Sequence, residues 1–62
     1  MLIDIHVRKD DGSPGPMIAS IDAPKHLERV TVAGKEYPVL TGVRRFIVVP
    51  ASEVRAIKEF GL

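Results

Sequence analysis

Asp4 and His6 stand two residues apart near the start of the chain, with Arg8 two further on. In an extended strand that spacing sets a carboxylate, an imidazole and a guanidinium on one face. Such a row suits recognition by charge and hydrogen bonding. His26 lies close to Asp22, so a metal site can be drawn from nitrogen and oxygen donors, but structural zinc sites lean on cysteine or on clustered histidines. The chain has no cysteine and only two histidines. No metal and no cofactor is expected.

Ser13, Ser20 and Ser52 are the available hydroxyl nucleophiles, yet none sits in a G-x-S-x-G elbow and each has a structural role open to it in a turn, a strand or a helix cap. Asp10, Asp11 and Glu36 offer carboxylates, but an acid–base pair needs a cleft that separates two pKa values, and so short a chain has little volume for one. Gly34-Lys35-Glu36 lacks the preceding glycine, the following Ser or Thr and the helix of a phosphate loop. It reads as a hairpin turn, and the chain does not read as an enzyme.

Arg44 and Arg45 precede Phe46, and Arg29, Lys35, Arg55 and Lys58 lie elsewhere. Together they suggest a basic strip for phosphates with Tyr37 or Phe46 as a stacking surface. Against this, the aromatics are only one Tyr and two Phe, Phe46 is better used in a core, and charges flanking an apolar strand commonly act as guards against aggregation. Nine Lys and Arg against eight Asp and Glu leave a formal charge of +1. Electrostatics alone announces neither nucleic acid nor an anionic membrane.

The elements that must hold these residues follow from hydrophobic spacing. Leu2–Arg8 alternates, Ile3, Ile5 and Val7 against Asp4, His6 and Arg8, as a half-buried strand does. Residues 9–16, KDDGSPGP, form a turn-rich loop, and residues 17–22 return antiparallel with Met17, Ala19 and Ile21 on one side. Residues 23–28 read as a connecting turn. Residues 29–33 and 36–40 make a second hairpin about Gly34-Lys35, with Val30, Val32, Tyr37 and Val39 inward, and Pro38 marks an edge position. Thr41-Gly42 turns the chain again.

Residues 44–62 carry the strongest signals. Phe46, Ile47, Val48 and Val49 form an unbroken apolar run, which is how a strand covered on both faces reads. Pro50 stops the ladder, Ser52 is placed to cap a helix, Val54, Ile57 and Gly61 fall on one stripe of that helix with Ala51 and Phe60 at its margins, and Gly61 suits its end. The expected fold is therefore α+β: one domain over residues 1–62, about five short antiparallel strands in a curled sheet or small barrel, and one C-terminal helix packed on it.

A single helix covers a single face. The second face of the 46–49 strand needs either barrel closure or another molecule. A 62-residue domain buries only about 60% of the surface its unfolded chain exposes, and its core contributes roughly 3–5 kcal/mol net. With disulfides excluded, a partner chain is the expected extra support.

No apolar run approaches the roughly 18 residues of a membrane span, and Asp4 and His6 come too early for a signal sequence. A soluble, cytoplasmic protein is expected. Its work is expected to be non-enzymatic protein interaction or regulation by surface complementarity, including self-association, as in accessory proteins of phages, mobile elements or larger assemblies. The binding candidates are Asp4, His6, Arg8, Arg44 and Arg45, and nucleic-acid binding through Arg44 and Arg45 is the alternative.

Overall fold

The structure is a computed structural model and describes residues 1–23 and 27–59. Residues 24–26 and 60–62 lie outside it, and with them His26, half of the expected connecting turn, Phe60 and the Gly61 cap. Strands β1 (Leu2–Arg8), β2 (Pro14–Asp22), β3 (Arg29–Val32), β4 (Lys35–Pro38), β5 (Leu40–Thr41) and β6 (Arg45–Val49) are followed by a 3-10 turn (Ala51–Glu53) and the helix α1 (Val54–Glu59). The fold is α+β with its helix at the C-terminal end.

The main sheet has the order β2-β1-β6-β5 and does not close into a barrel. β1 and β2 pair antiparallel as their alternation requires, but β1 and β6 run parallel, Ile5 opposite Ile47 and Val7 opposite Val49. This departs from an all-antiparallel sheet. β2 takes one edge of β1 and leaves the other edge to β6, and the intervening β3–β4 hairpin supplies the long crossover a parallel pair needs.

That hairpin stands as a separate two-stranded sheet. It contributes Val32 to the same core as Ile57 of α1, beneath Ile3 and Ile5 of β1 and Ile47 and Val49 of β6. Helix and hairpin therefore share one face of the main sheet. The strand expected over residues 36–40 breaks at Val39, whose N–H donates to the Glu28 carbonyl at 2.8 Å, and Leu40 then joins β6. Ala33 at φ 50° and Gly34 at φ 79° occupy the hairpin turn, one residue earlier than expected. Two successive positive φ values match the twist of the flanking strands.

β2 starts at Pro14, inside the expected loop, because the pairing shifts twice, between Ile5 and His6 and between His6 and Arg8. As an edge strand it tolerates Pro14 and Pro16. Gly15 is needed there, since a Cβ would fall 2.7 Å from the Val7 carbonyl oxygen. The first shift also turns Met17 onto the His6 side, away from the side expected to be shared with Ala19 and Ile21, and Ile18 packs against the core.

Pro50 is itself the residue before the 3-10 turn, and Glu53 N–H bonds its carbonyl at 2.9 Å. Ser52 lies within that turn, and no side chain caps the helix start. A cap position needs extended backbone one residue before the first turn, and here proline holds it.

Candidate functional site

Asp4, His6, Arg8 and Arg44, but not Arg45, meet on the face of the main sheet turned away from the helix and hairpin. Asp4, His6 and Arg8 project from β1 on the opposite parity to Ile3 and Ile5, and the parallel register sets Asp4 beside Phe46 and His6 beside Val48. Across the neighbouring strands Ser20 stands opposite Asp4, Met17 opposite His6, and Leu40 opposite Phe46. One row therefore runs Ser20, Asp4, Phe46, Leu40. The next runs Met17, His6, Val48.

At the centre of this open face Asp4 is only 4% exposed. Its carboxylate accepts from Arg44 Nε at 3.0 Å and Nη2 at 3.2 Å, and from Ser20 Oγ at 3.0 Å. The guanidinium fork and the hydroxyl together satisfy a carboxylate that would otherwise be desolvated at heavy cost. Sequence spacing proposes Asp4 and Arg44 as separate features, one on a strand face and one in a basic pair. The structure makes them one ion pair.

His6 is held by Gly15, whose carbonyl lies 2.8 Å from Nδ1. A carbonyl only accepts, so Nδ1 carries the hydrogen in this contact. The imidazole stands edge-on to Phe46, centroids 5.6 Å apart at 77°, a favoured arrangement for ring quadrupoles. Gly42 leaves room for the Phe46 ring: a Cβ there would lie 3.3 Å from Phe46 Cε1.

Around these polar anchors the face is apolar. Leu2 is 53%, Met17 54% and Leu40 41% exposed, and Phe46 and Val48 are half-buried. Arg8 lies exposed at the end of β1. Arg45 pairs with Thr41 on the parity of Ile47, so the Arg44-Arg45 doublet splits across the sheet. Spacing missed Ser20, Met17 and Leu40, because membership of this face depends on the β2 shift and on which strands adjoin β1 and β6.

The remaining charge contacts tie the framework together. Lys35 of β4 forms an ion pair with Glu53 of the 3-10 turn, and that carboxylate raises the Lys35 pKa. Burial, followed by the charge of Glu53, raises that of Tyr37. In the β1–β2 loop, Asp11 Oδ1 accepts from Ser13 Oγ at 2.6 Å and Ser13 N–H at 3.0 Å, and these bonds lower its pKa.

No three His, Cys, Asp or Glu side chains converge among the described residues, and no described helix is long and apolar enough to cross a membrane. Comparison with protein-family models, with curated proteins and with solved structures finds no match to this chain.

Proposed function

We propose that this chain is a small non-enzymatic interaction module that binds a protein partner through the open face of its β2-β1-β6-β5 sheet. The observation that carries the proposal is the cluster of Leu2, Met17, Leu40, Phe46 and Val48 on a face that no described element covers. Exposed apolar side chains gathered on one face of a small domain commonly mark a contact surface. The Asp4–Arg44 pair and the His6–Phe46 contact would fix its orientation, as a few polar groups within an apolar patch do. A cytoplasmic setting belongs to the same proposal, since a domain without disulfides is ordinary there.

The test is uptake of a fluorescent apolar dye over a dilution series, with oligomeric state followed in parallel. The proposal expects that Met17→Glu with Leu40→Glu leaves the fold intact by circular dichroism and alters dye uptake, self-association or both. Identical behaviour of variant and wild type at every concentration would remove the open face as a contact surface.

Nucleic-acid binding through Arg44 and Arg45 draws less support from the geometry. Arg44 is engaged by Asp4, and Arg45 belongs to the other parity of β6. Binding to an oligonucleotide that weakens steeply with salt and is lost in Arg44→Ala would reverse that preference.

A further inference from the structure

Resting on the reading of the open face as a contact surface, we infer that its occupant is a second copy of this chain, packed face to face about a two-fold axis as a β-sandwich. A two-fold contact lays a surface against itself, so a cluster of one charge would meet its own image. Here the central charges cancel within the chain. Asp4 is matched by Arg44, and Asp22 at the rim accepts from the Met1 amino group at 3.0 Å. What is left to meet its image at the centre is Leu2, Met17, Leu40, Phe46 and Val48, with the cation Arg8 standing exposed at the end of β1.

The dimensions set a limit. The Cα frame measures 29 × 25 × 16 Å, so a face of the molecule fills at most a rectangle of roughly 725 Å², of which the four-stranded sheet is one part. Stable interfaces bury about 800 Å² per partner, and this face is of that order only if most of it is used. A second sheet about 10 Å above the first uses it fully. A single peptide strand laid across it would not.

Joining by edges is disfavoured on both sides of the sheet. β2 carries Pro14, Pro16 and two shifts in pairing, and β5 has only two residues. Prolines, bulges and short strands are the devices that stop edge pairing. Association is directed to the face.

Sedimentation velocity on the full chain tests this. A species of twice 6.8 kDa is expected, with Met17→Glu and Leu40→Glu together raising its dissociation constant about a hundredfold through buried like charges, and Lys58→Glu on the helix leaving it unchanged. Interchain NMR contacts between methyl groups of Met17, Leu40 and Val48, in a sample mixing labelled and unlabelled chains, give the same answer without any variant. A dimer indifferent to the face charges and lacking those contacts overturns the inference. So does a monomer at all concentrations: if that monomer takes up apolar dye through Met17 and Leu40, the face still binds something else, and if it does not, the contact-surface reading falls too.

Discussion

Asp4 and Arg44 are 40 residues apart in the chain and joined by a forked contact, with Ser20 closing the third side. One partner is buried and the other 57% exposed, which decides the energetics. A fully buried pair loses about 3–5 kcal/mol when one member is removed, whereas exposed pairs are worth about 0–1 kcal/mol.

Arg44→Ala should fall between these limits, at about 1–2 kcal/mol, because it strands a carboxylate that water reaches poorly. Asp4→Ala removes the buried charge with its partner's need for it. The double-mutant cycle, by urea unfolding, should give a coupling of about 1 kcal/mol. Zero coupling would mean that the fork does not persist in solution.

Ala33 sits at φ 50° in the β3–β4 turn, where a side chain with Cβ is strained and Asn is better tolerated. Ala33→Asn should raise stability by about 0.5–1 kcal/mol, read as a higher Tm. A fall in Tm would show that the packing of Ala33 against the core outweighs the relief of its backbone.

Strand alternation in β1 and the two-sided apolar run of β6 are legible in sequence because both follow from the two-residue period of extended chain. The expectation that β6 needs two covers follows from that run alone. What sequence could not show is which strand adjoins which. The parallel placement of β6 on β1 puts Phe46 and Val48 on the face of Asp4 and His6, merging two surfaces that look independent in the linear chain. Beside the second shift in β2, Gly15 lies so close to the Val7 carbonyl that a Cβ would not fit, a three-dimensional fact with no local signature. Ser52 misled for a related reason: a serine near a helix start is a good cap only if the turn begins after it, and Pro50 begins the turn earlier.

Alkaline pH should act through the hairpin. Tyr37 is raised above 10.0 chiefly by burial, which favours its neutral form, and Lys35 is raised above 10.5 by Glu53, which favours its charged form. Each therefore lends stability that is complete below its unfolded value and lost as pH climbs through the folded one. The loss should set in above about pH 10. Tyr37 is the chain's single tyrosine, so tyrosinate absorbance reads it directly. Glu53→Gln should lower its midpoint only part of the way, because burial remains. An unchanged midpoint would mean that the Glu53 charge does not reach the ring.

Ile57 is 1% exposed and is the buried residue of a six-residue helix. A helix that short has no stability of its own, so it exists because Ile57 joins the buried core with Val32 and the β1 and β6 residues, and those strands lose part of their shield if it leaves. Ile57→Ala should cost about 2–5 kcal/mol, comparable with the roughly 3–5 kcal/mol a core of this size supplies. The expected result is a chain largely unfolded when dilute and partly restored at high concentration, because association stabilises by mass action. Lys58→Ala, on the exposed side, should change stability by less than about 0.5 kcal/mol. Thermal unfolding at two concentrations checks both, and an Ile57→Ala variant as stable as wild type would show that the hairpin alone shields the inner face.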